Sequence, residues 1–319
     1  MQFEVNKQDL PRHLIEFIET NLANIKIFAL PTDLSKRKYY RIIHRQKNYV
    51  LMDSIKEPAQ FDKFIKSTRF LERSGFSVPY IYLIDFENSL SLIEDFGDDK
   101  VNLYLRDVSL RTEQEVYKKS LYLLSKLHKL KVEDFDCEIH NLTNLNNGIE
   151  EFVNNCVLDL YKDDVEKAFS SLFQLLPKPR FFSCRDFHVD NLIWLEERDG
   201  INKVGLIDYQ DLSIGYKAYD IVSLLQDARR FITPIFEQQM LEFFFHHNPT
   251  IDKNTFMQEY RILSLQRNLR VYGLFSKSSQ QKGMSRYKKY LPNVRNYIER
   301  SIENINLASK VKTIIIHSL

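Results

Sequence analysis

The chain has 319 residues, 44% hydrophobic and 28% charged, with a net charge of +2. That length and apolar fraction allow a large core and two lobes, while so small a positive surplus argues against a nucleic-acid partner. No apolar run reaches the span of a bilayer and residues 1–9 lack the apolar stretch of a secretion signal, so the sequence implies a cytoplasmic protein with no membrane partner.

Residues 8–23 carry Leu10, Leu14, Phe17 and Ile18 at helical spacing. Strands are predicted over 25–30, 39–44 and 48–53, the last two joined by Arg45-Gln46-Lys47. Phe61, Phe64, Ile65, Thr68 and Leu71 mark a helix stopped by Ser74-Gly75, and 79–85 with 89–94 read as a hairpin across 86–88. Beyond Gly97 the pattern turns helical, opening with Val116, Ser120, Leu123, Leu124, Leu127 and Leu130. The cysteines, Cys137, Cys156 and Cys184, are odd in number and widely spaced, which favours neither a disulfide framework nor a zinc site.

Two stretches carry candidate chemistry. Ser35, Lys36, Arg37, Lys38 and Arg41 place four cations and a hydroxyl within seven residues that contain no glycine, so side chains rather than backbone N–H groups would have to hold phosphate there. A solvated basic turn is the plainer reading of the same residues. In the second stretch Asp186 and Asn191 lie between the apolar Phe181-Phe182 and a strand-like 191–195, and Asp208 ends the apolar run 204–207 after a polar turn. Phosphoryl transfer in kinases needs a carboxylate for the acceptor hydroxyl's proton, an amide oxygen on Mg²⁺ five residues on, and a carboxylate on Mg²⁺ after the next strand. An ordinary hairpin with acidic ends accounts for each residue alone but less well for all three in order.

This stretch resembles the aminoglycoside phosphotransferase branch of the kinase-like superfamily, and within it the bacterial anomeric kinases of N-acetylmuramate and N-acetylglucosamine. The likeness extends to Pro31–Arg41 as the phosphate-loop segment, Tyr49–Asp53 as the next strand, Ser91–Asp98 as the interlobe hinge, and Arg267–Phe275 with Arg286–Pro292 as closing helices. It implies an α+β, two-lobed protein-kinase-like fold, with a small β-rich N-lobe over 1–96 and a larger, mainly helical C-lobe over 97–319. It implies a monomer that uses ATP and Mg²⁺. By the same resemblance Asp186 is the base, Asn191 and Asp208 hold metal, and Ser35, Lys36, Arg37 and Arg41 bind phosphates. Glu94 and Phe96 offer hinge backbone to adenine, and His188, Asp211 and Arg267 face the acceptor. Asp220, just before the apolar 221–225, is implied to hold the catalytic loop through backbone N–H groups. The acceptor implied is the anomeric hydroxyl of an amino sugar, in cell-wall precursor recycling. A kinase of another acceptor (aminoglycoside, choline, amino alcohol or protein) stays open, as does a nucleotide-binding pseudokinase, although all three chemical residues are present.

The chain departs from the family pattern in three places. The strand Tyr49–Asp53 has no lysine for the phosphates, and the helix after it offers Gln60 and Asp62 rather than a glutamate partner. Arg41 or Arg37 is expected to supply the missing charge. Asp208-Tyr209-Gln210-Asp211 lacks the flexible glycine of protein kinases, which implies a site that is always assembled. Cys184 stands where the family carries His, as a core filler or a redox-sensitive thiol.

Overall fold

A short strand β1 (Phe3–Glu4) and a 3₁₀ turn (Lys7–Asp9) precede helix α1 (Arg12–Asn21), in a computed structural model that describes residues 3–31, 36–280 and 285–319. The helix begins at Arg12 rather than residue 8 because Pro11 sits at its N-cap and keeps Leu10 extended, at ψ 154°. Strands β2 (Ile25–Ala29), β3 (Lys38–His44) and β4 (Lys47–Asp53) follow, then α2 (Pro58–Arg73), β5 (Ile81–Asp85) and β6 (Leu90–Glu94). They form an antiparallel six-stranded sheet ordered β1-β2-β3-β4-β6-β5. Arg45 and Gln46 both have positive φ, the two-residue turn whose twist suits a hairpin, here built without the usual Asn-Gly. Because side chains alternate along a strand, Tyr40 and Ile42 of β3 join Leu51, Leu90 and Leu92 in a core with Leu14, Phe17 and Ile18 of α1. Arg41 points to the other face.

Next come α3 (Val101–Tyr104), α4 (Leu110–Leu127), α5 (Leu142–Cys156), α6 (Lys162–Phe173) and β7 (Phe181–Ser183). Strands β8 (Leu192–Trp194) and β9 (Val204–Leu206) pair as a hairpin. The chain then forms β10 (Ser213–Gly215), antiparallel to β7, and helices α7 (Lys217–Leu225), α8 (Pro234–His246), α9 (Lys253–Ser279), α10 (Leu291–Glu303) and α11 (Ser309–His317). Helix α9 packs on α5, α7 and α10. At Gly273 a side chain could not fit, since a Cβ there would lie 2.3 Å from the Glu151 carbonyl oxygen of α5.

The class is α+β, a β-rich N-terminal part followed by a helical C-terminal part, as the sequence predicts. The chain divides into two units, residues 1–99 with 193–211, and residues 100–192 with 212–319. The sequence expectation drew one boundary after residue 96 and left 193–211 in the second lobe. That segment belongs to the first unit because the β8–β9 hairpin bonds to it: Trp194 N–H donates to Asp99 O at 2.8 Å and Leu206 N–H to Ser77 O at 2.8 Å. Among the described residues no helix is long and apolar enough to cross a membrane.

Candidate active site

In the first unit the polar residues after β9 are held by buried groups. Asp208 has φ +59°, a left-handed conformation uncommon outside glycine, and the side chain beside it explains how it is maintained. Tyr209 is 1% exposed, stacks on Phe64 of α2 at 5.7 Å and shares a 2.9 Å hydrogen bond with Thr68 Oγ1. The expected Asp-Tyr-Gln-Asp segment is thereby tied to α2. Arg37, just before β3 and only 6% exposed, donates from Nη2 to Asp208 Oδ1 at 3.1 Å, and its Nε lies 4.0 Å from Glu57 Oε2 at the start of α2. Gln210 Nε2 donates to the same Asp208 oxygen at 2.9 Å. Glu57 is the residue before the helix, one position outside the span in which the sequence offers Gln60 and Asp62.

Arg41 is placed differently. Its guanidinium is clamped by two carboxylates from the hinge, with Nη2 donating to Asp95 Oδ1 at 3.0 Å and to Asp98 Oδ1 at 3.0 Å and Nη1 donating to Asp98 Oδ2 at 2.8 Å. The Asp95 side chain is itself only 3% exposed. Glu94 closes β6, its N–H donating to Tyr80 O at 2.8 Å and its carboxylate accepting from Arg198 Nη2 at 2.6 Å. Phe96 lies under the Arg198 guanidinium, 5.0 Å from the ring centroid, and flat enough on β9 that a Cβ on Gly205 would come within 2.8 Å of it. Lys36 is exposed, Asp211 is half-buried at the end of the segment, and Ser35 lies outside the described residues.

The second unit carries the loop between β7 and β8. Arg185 has φ +66°, and Asp220 in the first turn of α7 supports that turn: it accepts from Cys184 N at 2.6 Å, Arg185 N at 2.9 Å and Ser183 Oγ at 3.0 Å. Burial pushes the Asp220 carboxyl up to about 6, against the pull of those donors. The buried Cys184 thiol is pushed far above its ordinary value by burial and by the Asp220 and Asp186 charges, which leaves it an inert core filler.

Asp186 is raised by burial, but Arg270, then His188, Arg267 and Arg185, outweigh this and hold it below the usual aspartate range. It is ionised at neutral pH, as a proton acceptor must be. Asn191 Nδ2 donates to Asp186 O at 3.0 Å and lies 3.3 Å from His188 Nε2. An amide nitrogen only donates, so His188 Nε2 accepts and the imidazole proton sits on Nδ1, which is buried with no partner. Burial and then Arg229 depress the His188 pKa, keeping the ring neutral. Arg267 on α9 is 3% exposed with Nε unpartnered, and Arg270, one turn on, is hydrogen-bonded to Tyr219. His140 stands edge-on to the same Tyr219 at 4.9 Å.

The far side of the loop has its own support. Asp227, fully buried just beyond α7, accepts from Val189 N at 3.1 Å and from Arg229 N at 2.9 Å. Arg229 Nε reaches Asp190 Oδ2 at 3.0 Å. Asn102 of α3 donates from Nδ2 to Asp190 Oδ1 at 2.9 Å and from its N–H to Val189 O at 3.2 Å. Sequence reasoning reached Asp220 through the family resemblance, supported by its place before an apolar helix. It missed Asp227, Arg229 and Arg270, which no short motif marks.

Residues 27–252 match a family model described as the phosphotransferase enzyme family. The chain is 25% identical to an N-acetylmuramate/N-acetylglucosamine kinase of Caulobacter vibrioides, over 89% of this chain and 90% of the relative. It is 24% identical to one of Pseudomonas aeruginosa, over 87% and 84%. Among solved structures it is similar to aminoglycoside 2'-phosphotransferase-IIIa in complex with GDP, with TM-score 0.64 and 16% identity over 94% of this chain and 100% of the other. A second aminoglycoside phosphotransferase, solved with streptomycin and ATP, gives TM-score 0.63 and 14% identity over 86% and 92%.

Proposed function

Because the chain belongs to the phosphotransferase enzyme family, we propose that it transfers the γ-phosphoryl group of ATP to the anomeric hydroxyl of N-acetylmuramate or N-acetylglucosamine. That it is a kinase of this family follows from the family match; the sugar is our reading. One observation carries it: relatives named for these two sugars align over nearly the whole chain, at higher identity than the aminoglycoside enzymes whose fold it shares. The surroundings of Asp186 support it. An aminoglycoside is a polycation, and the charges that act on Asp186 include Arg270, Arg267 and Arg185, which repel such a ligand. A neutral or singly anionic sugar has no such difficulty, and the unpartnered donors Arg267 Nε and His188 Nδ1 suit its oxygens.

In this reading Asp186 receives the proton of the sugar hydroxyl, and His188, Arg267 and Asp211 contact the acceptor. Asn191 and Asp208 offer Mg²⁺ the oxygen ligands it prefers; the Asn191 nitrogen is committed to the loop, which turns the amide oxygen away from it. Bound Mg²⁺ would neutralise charge developing on the phosphates. Glu94 and Phe96 present hinge backbone to adenine, and Ser35 and Lys36 stay candidates for phosphate contact. Of the two arginines considered for the missing strand lysine, Arg37 fits: it lies between Glu57 and Asp208, as a lysine would between its glutamate and the metal aspartate. Arg41 locks the hinge instead.

Two measurements test this. ADP release stimulated by either amino sugar, and not by aminoglycosides, amino alcohols or a protein, is the expected result of an acceptor screen; stimulation only by one of the others replaces the sugar reading. Arg37→Ala should weaken ATP binding by roughly tenfold or more, since a charge-assisted hydrogen bond contributes about 1.5–3 kcal/mol. Arg37→Lys should recover part of it, lacking the fork. Wild-type ATP affinity in Arg37→Ala, measured by calorimetry, removes Arg37 from the phosphate site.

A further inference from the structure

The loop from Cys184 to Asn191 carries two proposed functions, a base near its start and a metal ligand at its end, and two buried carboxylates hold it at different points. Asp220 takes the N–H groups of Cys184 and Arg185. Asp227 takes the N–H of Val189. Asp220 lies in the first turn of α7 and Asp227 beyond its end, and they hold different backbone N–H groups, so neither can stand in for the other. Between them the backbone folds into turns of its own, with Asp186 N–H donating to Cys184 O at 2.8 Å, His188 N–H to Asp186 O at 3.0 Å and Asn191 N–H to His188 O at 2.8 Å.

We infer that Asp227, acting with Arg229 and Asp190, is a positioning residue for Asn191, and that Asp220 serves Asp186 separately. This deepens the proposed function and rests on it, because it takes Asn191 as a metal ligand. Three polar groups of the two residues before Asn191 are engaged from outside. The Val189 N–H goes to Asp227, the Val189 carbonyl accepts from Asn102, and the Asp190 carboxylate is shared by Arg229 and Asn102. An acid with no exposed surface is retained in a core only where its donors outweigh the cost of burial. At Asp227 the donors are the Val189 and Arg229 N–H groups and the Arg229 guanidinium, whose Nη1 lies 3.4 Å from Oδ1. The charge is required for the last of these: Asp227 fixes Arg229, and Arg229 fixes Asp190, the residue bonded to Asn191. An apolar pair in the same volume would keep the core and lose that relay.

The test uses the full chain and three variants. Asp227→Asn keeps shape and removes the charge that holds Arg229, and Asp190→Asn breaks the outer link at a half-buried position where the substitution disturbs the core less. Calorimetric titration with ATP is done with and without Mg²⁺. Both variants should bind ATP alone as the wild type does, while the gain in affinity on adding Mg²⁺ falls roughly tenfold, as when support behind a metal ligand is removed. The Mg²⁺ concentration for half-maximal turnover should rise by a similar factor. Asp220→Asn should lower kcat with that concentration unchanged. Wild-type Mg²⁺ dependence in folded Asp190→Asn overturns the inference even if Asp227→Asn is unstable. A raised Mg²⁺ requirement in Asp220→Asn equal to that of Asp190→Asn overturns the separation of the two supports. Should ATP binding by the wild-type chain ignore Mg²⁺ altogether, the assignment of Asn191 as a metal ligand fails first, and that measurement precedes the variants.

Discussion

Asp186→Asn is expected to lower turnover with the sugar by about 10²–10⁴-fold, the range for a positioned acid–base group, with ATP affinity little changed. The substitution preserves the volume of the side chain and leaves the bonds of Asp220 to Cys184 and Arg185 intact, so the turn at Arg185 should survive. What changes is charge. Asp186 acts electrostatically on Arg270 and Arg267, both buried, and an amide there leaves them less compensated. A modest loss of stability should therefore accompany the loss of turnover, and the thermal midpoint measured beside single-turnover rates separates the two. A folded variant with near-wild-type turnover would show that the proton goes elsewhere.

Local signals made much of the sheet legible. The short apolar runs of 39–44 and 48–53, the polar turn between them and the hairpin around 86–88 depend on neighbours in sequence, and β3 to β6 appear within a residue or two of the predicted spans. What local signals do not carry is pairing at a distance. Arg41 reads as a phosphate ligand because it is one of four basic residues within seven, yet its partners, Asp95 and Asp98, lie 54 and 57 residues on. Arg37 reads the same way and is paired with Asp208, 171 residues away. The long helix α9 escaped periodicity for another reason: Leu263 to Leu269 are buried without a break, so no polar face marks the turn. Only the family likeness drew attention to Arg267. Pro11, by contrast, was visible from the start and should have moved the first helix boundary.

Acidification from pH 7 to pH 5 is expected to destabilise the second unit, and the sign follows from groups of opposite effect. Burial holds His128 and His140 down to about 3 and depresses His188 as well. In the unfolded chain these three take up protons as pH falls through about 6.5, whereas the folded chain does not, so stability is lost below that pH. Asp220 at about 6 and Glu259 at about 7 are raised by burial and act the other way: the folded chain binds their protons before the unfolded one, which adds stability as pH falls. Three histidines against two carboxylates leave about one net proton taken up on unfolding near pH 5, or about 1.4 kcal/mol lost per pH unit. Urea midpoints at pH 7, 6 and 5 should fall accordingly. His128 isolates the cause, because both ring nitrogens are buried without partners and the ring stands edge-on to Phe181. Replacing it by Leu removes one of the three protons and forfeits no hydrogen bond, so His128→Leu should flatten the pH dependence to near zero while staying folded. Wild-type stability that holds or rises between pH 7 and pH 5 would mean that the carboxylates win, and that the buried imidazoles find protons in the folded chain.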